Sequence, residues 1–272
     1  MLIDFHTHIF PDKIADRAIQ NLSRRAGGAI PYYDGTKEGL LACMREKGID
    51  KSVVLNIATN PAQMRSVNDF AASVNGGCLV SFGSVHPNAA DVLDELDRIA
   101  DLGLQGIKLH PDYQEFYGDD SKMWPVYEKI AKKGLIVVFH AGVDIGLYPP
   151  VYMTPRRLAN ALAPLEGATV VAAHFGGYML WEEALECLAG RDVYFDTAYS
   201  AGAIPLGIAR QIVRAHGADR LLFGSDLPWS DPGEEARMIE TLELPRDELD
   251  KIFYKNALKI LKLEPEVRSY AK

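Results

Sequence analysis

Short, continuous apolar runs recur along the chain at 2–6, 51–57, 78–85, 104–110, 135–140, 168–174, 192–197 and 221–226. Val, Ile, Leu and Phe fill them without the in–out alternation of a half-solvated strand. They therefore predict eight parallel strands buried on both faces. The stretches between them carry helix signals. Asn60-Pro61 and Thr154-Pro155 each pair an N-cap residue with proline at the first helical position. The segment DVLDELDRIADLG puts Val92, Leu93, Leu96, Ile99 and Ala100 on one face and ends on Gly103, a C-cap glycine. WPVYEKIAKKG and WEEALECLAG repeat that arrangement, and the final KIFYKNALKILKL predicts an amphipathic closing helix.

Eight strands alternating with helices indicate a (β/α)8 TIM barrel forming one domain over residues 1–272, with a doubly wound open sheet as the alternative. Two features favour the barrel. Polar residues ending strands 1, 4, 5, 6 and 8 share one site only if the sheet closes, and no glycine-rich phosphate loop follows strand 1. The segment 20–39, rich in glycine and aromatic residues, is expected as a long loop near the barrel mouth.

Six of the seven histidines stand at the downstream end of these runs: His6, His8, His86, His110, His140 and His174. Only His216 lies elsewhere, and the run LLFGSD puts Asp226 where the others put histidine. Strands ending in such residues deliver them to one rim of a sheet, which points to convergence on a metal ion.

Composition narrows the partners. The 272 residues are 48% hydrophobic and 24% charged with a net charge of -8, which provides no basic field for nucleic acid or an anionic membrane. Cys43, Cys78 and Cys187 are too few and too scattered for a disulfide framework, which suggests a reducing setting. No signal-peptide pattern precedes MLIDFHTH and no run reaches the ~20 apolar residues of a membrane span. A cytoplasmic enzyme acting on a small molecule is expected, with a homodimer as the base-rate assembly.

His6 and His8 lie two apart on a strand and point to the same side, either as metal ligands or as a hydrogen-bonded core pair. Asp4, deeper on that face, reads as structural or as a partner of a ligand. Asp226 can ligate a metal and take a proton from water bound there; its other role, helix capping, is disfavoured by the Leu-Pro that follows. His140 and His174 are followed by small residues that let backbone or substrate approach. Lys108 and His110 share the inward face of strand 4. A lysine there pairs with a carboxylate, binds an anionic substrate, or is carbamylated to bridge two metals. His110 and His86 are read as substrate contacts or satisfied rim histidines, and Tyr113, Tyr148, Trp124, Tyr199 and Trp229 as pocket lining or packing.

LIDFHTH, GIKLHP, VVFHAG, AAHFGG, LLFGSDLP and KNALKILKL, in this order over essentially the whole chain, resemble the amidohydrolase superfamily in its amidohydrolase-2 branch. That branch includes metal-dependent hydrolases and the aminocarboxymuconate-semialdehyde decarboxylase group. The resemblance implies His6, His8, His140 and Asp226 as ligands of a catalytic Zn2+, or another divalent ion such as Mn2+. It implies His174 as second-metal ligand or catalytic partner, and Lys108 as the position of a carbamylated bridge in binuclear members. The local sequence is KLHP, which resembles relatives that work with one metal, so the resemblance favours one ion.

The leading expectation is hydrolysis of an amide, ester or lactone by metal-activated water, with Asp226 as base and His174 steadying the oxyanion. The alternative is non-oxidative decarboxylation of a small unsaturated or aromatic acid at the same site. For that reaction an arginine holding a second carboxylate is the informative feature, and Arg156 and Arg157 are the residues considered. A minor alternative is an inactive metabolite-binding barrel, which loss of a ligand residue would mark.

Overall fold

A computed structural model describes residues 1–147 and 149–264. All eight predicted strands are present: β1 (Ile3–Thr7), β2 (Lys51–Leu55), β3 (Leu79–Phe82), β4 (Gly106–Leu109), β5 (Ile136–Phe139), β6 (Thr169–Ala172), β7 (Tyr194–Asp196) and β8 (Leu221–Leu222). Every ladder between them is parallel. Helices α1 (Asp12–Arg25) and α2 (Lys37–Lys47) follow β1, and α3 (Met64–Val74) and α4 (Val92–Asp101) follow β2 and β3. Then come α5 (Pro111–Gln114), α6 (Trp124–Lys133), α7 (Pro155–Ala161), α8 (Trp181–Cys187) and α9 (Leu206–His216). The chain closes with α10 (Pro232–Glu240), α11 (Arg246–Asp250) and α12 (Asn256–Leu261). None of these helices is long and apolar enough to cross a membrane.

The ladders β1-β2-β3 and β4-β5-β6-β7-β8 join at two seams into a closed barrel. At the first, the Gly83 N–H donates to Gly106 O at 2.9 Å and the Lys108 N–H to Gly83 O at 2.8 Å. Glycine is required here, because a Cβ on Gly106 would stand 2.6 Å from the Phe82 ring and 2.7 Å from Ile136 O. At the second seam the Phe5 N–H donates to Phe223 O and the Asp226 N–H to His6 O, both at 2.8 Å. The register of β1 shifts between Asp4 and Thr7. Ile3 and Phe5 consequently pack inside with Val53, Phe82, Val138 and Leu222, while Asp4 turns to the Ser225 amide and hydroxyl. An unbroken period of two would have put Asp4 on the face of His6.

The inner cluster also takes in Ala257, Leu258 and Leu261 of α12, and a second cluster fills the space between strands and helices. Each such buried Leu, Ile or Phe contributes about 1.5–3 kcal/mol. Apolar packing thus leaves the C-terminal rim as the place for polar side chains.

Two expectations need correction. Residues 20–25 are not loop but the last turns of α1, anchored by buried Ala15 and Ile19, and residues 37–39 already belong to α2; Arg24 and Arg25 suit the end of α1 electrostatically. The closing segment is not one α-helix either, for residues Lys251–Lys255 form a wider π-turn before α12. Its Ile252 carbonyl accepts the Phe223 N–H at 2.9 Å, so the widened turn lets the closing segment bond to the end of β8. The caps at Asn60, Thr154 and Gly103 form as expected: the two side chains accept N–H bonds and Gly103 adopts φ +73°.

His216, the histidine away from the rim, is buried at the end of α9 and stacks 3.9 Å from Phe195. Burial lowers its pKa to about 4. The unfolded chain takes the proton near pH 6.5 and the folded one resists it, so stability present above 6.5 is lost as pH falls toward 4. The effect is at most about 3 kcal/mol. His216→Phe is expected to flatten the urea midpoint against pH in that window, by one proton; an unchanged slope would remove His216 from the acid response.

Candidate active site

The rim gathers residues from six strands because the chain turns sharply as it leaves them. His174 and Phe175 after β6, Tyr199 after β7 and Asp226 after β8 all adopt positive φ, at 61, 54, 52 and 70°. Non-glycine residues rarely accept that conformation, and it clusters where side chains must be aimed. Asp226 lies four residues beyond β8, yet its amide bond to His6 O holds it over β1.

The outer ring nitrogens have partners that fix which nitrogen faces inward. His8 Nδ1 lies 2.8 Å from Leu55 O and His174 Nδ1 2.9 Å from Ala198 O. A carbonyl only accepts, so both imidazoles carry their proton on Nδ1. The Asp196 carboxylate, 2.9 Å from His6 Nδ1, assigns the same form to His6. The Nε2 lone pairs then point inward: His8 Nε2 is 3.0 Å, and His6 Nε2 3.4 Å, from Asp226 Oδ1. Across the mouth His140 Nδ1 lies 3.1 Å from His174 Nε2, while His140 Nε2 is buried without a partner among the described residues.

Electrostatics reinforce this arrangement. Burial holds the His6, His110 and His140 rings well below the usual imidazole range, and neighbouring positive charge adds to it, so they stay neutral at physiological pH. Burial alone would raise the Asp226 carboxyl, but His6, His8 and His174 keep it below its usual range, as an anion. Burial lowers Lys108 to about 8, against the pull of Asp196, Asp226 and Asp144. Its Nζ reaches His6 Nε2 at 3.5 Å.

Lone pairs facing each other at 3.0 Å, as on His8 Nε2 and Asp226 Oδ1, repel unless a proton or a cation lies between them. Neutral imidazoles with a carboxylate, each oriented by an outer partner, are the donor set a divalent transition metal takes. Three groups of donors lie within 4.8 Å of one another among the described residues: His6–His8–Asp226, His6–His174–Asp196 and His110–His140–Asp144. The residues fit a metal. Of the expected ligand set, His6, His8 and Asp226 come together, whereas His140 faces His174 and His110.

A cavity of about 870 Å³ opens above this floor. Tyr113, Tyr178, Tyr199, Trp229 and Phe10 give it aromatic walls, and α1 runs along its mouth. His110 is a floor residue: its Nδ1 accepts the Tyr113 N–H at 3.4 Å, which leaves Nε2–H for Asp144 Oδ2 at 3.3 Å, and it stacks 4.1 Å from His140. The substrate contact expected at His86 does not match its position, for it lies outside the cavity lining and its Nδ1 accepts the Asn88 N–H at 3.2 Å. Trp124 opens α6 and is also outside the lining, and Tyr148 lies outside the described residues. Arg156 pairs with Glu183 and Glu186, and Arg157 with Asp119, so neither reaches the cavity.

Sequence reasoning passed over Asp196. It ends the apolar run VYFD, the same signal that singled out the histidines, and it also accepts the His174 N–H at 2.9 Å. Asp144, which fixes His110, sits four residues past His140 with no comparable signal. Of the arginines that line the cavity, Arg25 was hidden by the loop expected over 20–39 and Arg17 by its distance from any strand end.

The amidohydrolase family model matches residues 3–263. A comparison with curated proteins finds no match. Among solved structures, 5-carboxyvanillate decarboxylase LigW from Sphingomonas paucimobilis superposes with a TM-score of 0.73 at 16% identity, covering 97% of this chain and 99% of that one. The 2,6-dihydroxybenzoate decarboxylase from Rhizobium gives 0.68 at 16% identity, with 96% and 98% covered. A putative 2-pyrone-4,6-dicarboxylic acid hydrolase from Pseudomonas putida gives 0.66 at 20% identity, with 97% and 98% covered. At these identities the likeness shows a shared barrel fold, and the match along the sequence shows descent: the chain belongs to the amidohydrolase family.

Proposed function

We propose that this protein catalyses metal-dependent, non-oxidative decarboxylation of a small aromatic or unsaturated carboxylic acid. The observation that carries the reading is Lys108. It is a fully buried cation on the cavity floor with no carboxylate within ion-pair distance among the described residues. Burying a charge this way is unfavourable unless an anion completes the site, and a substrate carboxylate is such an anion. The aromatic walls suit a flat ring, and the likeness to two decarboxylases supports the same reaction class.

A divalent ion, which His6, His8 and Asp226 would hold with His140 and His174 on the same floor, would supply Lewis acidity toward a substrate oxygen. Zn2+ suits the imidazoles and Mn2+ the carboxylate, with one ion per chain. Lys108 holds the departing carboxylate, and His110, with its Nε2–H fixed by Asp144, orients the acid. The bond from ring carbon to carboxylate breaks, its electron pair stays on the carbon, and carbon dioxide leaves. His174 Nε2 or Asp226, each with a lone pair facing inward, first takes a proton from solvent and then passes it to the carbon. Walls of Tyr178, Tyr199 and Trp229 keep water from the developing charge.

Hydrolysis remains the second reading, on the likeness to the dicarboxylic acid hydrolase and on the same metal floor. The two differ in mass balance. With hydroxylated benzoates and short unsaturated acids in D2O, decarboxylation is expected to release one carbon dioxide per substrate lost and to leave one deuterium on the product carbon. Incorporation of 18O from water with no carbon dioxide would decide for hydrolysis.

A further inference from the structure

Helix α1 carries Arg17, Asn21 and Arg25 at a spacing of four, which aligns them along one face, and all three line the cavity. The two arginines span ~12 Å of helix. Neither makes an ion pair among the described residues, although the chain is acidic and Arg156, Arg157, Arg98 and Arg220 are each paired. The Arg25 guanidinium stands 6.0 Å from the Tyr113 ring centroid. The nearby carboxylate of Asp144 is engaged by His110 and the Gly146 N–H. Asn21 Oδ1 accepts from Arg24, so its amide N–H groups remain for a ligand.

The geometry points to a second anion site at the mouth: the Arg17–Asn21–Arg25 face of α1 binds an anionic group on the substrate, remote from the carboxylate that Lys108 holds. The substrate class is then a dianion, a rigid or planar acid with a second carboxylate or a phosphoryl group across the ring. This inference rests on the decarboxylase reading for the first carboxylate only. Guanidinium groups suit the site because their planar donors match carboxylate and phosphate, whereas each lysine ammonium is a point charge. The cavity gives the two ends different roles. Histidines, lysine and aspartate at the floor perform chemistry, while uncompensated arginines at the mouth select a substrate.

The test is calorimetric titration of zinc-loaded protein with benzoate, isophthalate, terephthalate and 3-phosphonobenzoate. At least one doubly anionic probe is expected to bind ten-fold or more tighter than benzoate, and the gap is expected to shrink as salt rises. The carboxylate and phosphonate arms tell which group the site prefers. In Arg17→Ala/Arg25→Ala that gap should close, and in Arg17→Lys/Arg25→Lys it should return in part; a circular dichroism melt checks that each variant is folded. Equal binding of all four probes, binding of none, or a gap that survives the alanine variant overturns the site. If the preference holds but no acid yields carbon dioxide, the reaction fails and the anion site stands. If carbon dioxide is released from monocarboxylates with no preference, the anion site fails and the reaction stands.

Discussion

Asp226→Asn is expected to lower carbon dioxide release about 1000-fold and to leave the protein with little bound metal, while the fold survives. Among the described residues the carboxylate is the one anion aimed at the inward lone pairs of His6 and His8. Asparagine removes its charge and, through its amide nitrogen, offers a donor to His8 Nε2 at the position where a cation belongs. The variant therefore satisfies the imidazole without an ion. Two measurements follow from that exchange. Elemental analysis should show metal content well below that of the parent protein. The metal-free variant should melt at or above the temperature of the metal-free parent, because a repulsive contact has become a hydrogen bond. Full metal occupancy with retained turnover would remove Asp226 from both roles.

Much of the barrel was readable because parallel strands buried on both faces leave unbroken apolar runs, and here each is short and separated by capped helices. The rim was readable for the same reason: a polar residue ending such a run has only the C-terminal mouth to face. Where that logic was applied unevenly it missed Asp196, although VYFD has the same form as VVFH. Other features left no local trace. The register shift in β1 comes from how Asp4 meets Ser225, 221 residues away, and no period in the sequence encodes that contact.

The mouth was hardest to read. Asn21, Arg24 and Arg25 precede AlaGlyGly, so a loop was expected where α1 in fact continues to Arg25. Its polar cavity face looks, in sequence, like the solvated face of any surface helix. Conversely, Arg156 and Arg157 stood in a promising place and turned out to pair with α8 and Asp119. Proximity along the chain to a strand end decides the floor of this site, whereas the mouth depends on which long helix folds across it.

Lys108→Met is expected to reduce carbon dioxide release about 100-fold while making the protein more stable at neutral pH, two effects of opposite sign. Activity falls because the floor loses the cation that holds the departing carboxylate. Stability rises because burial outweighs the attraction of Asp196, Asp226 and Asp144, as the lowering of Lys108 to about 8 records. The unfolded lysine binds its proton up to about pH 10.5 and the folded one only to about 8, so the cost is complete below pH 8 and disappears by 10.5. It amounts to at most about 3 kcal/mol, less what methionine loses in packing. Urea unfolding of metal-free parent and variant should show an advantage for methionine at pH 7 that narrows as pH rises through 8 to 10. Metal content should stay at that of the parent. If stability and activity fall together, Lys108 is a structural ion-pair member rather than a substrate anchor. A halved metal content would instead mark it as a bridging ligand between two ions.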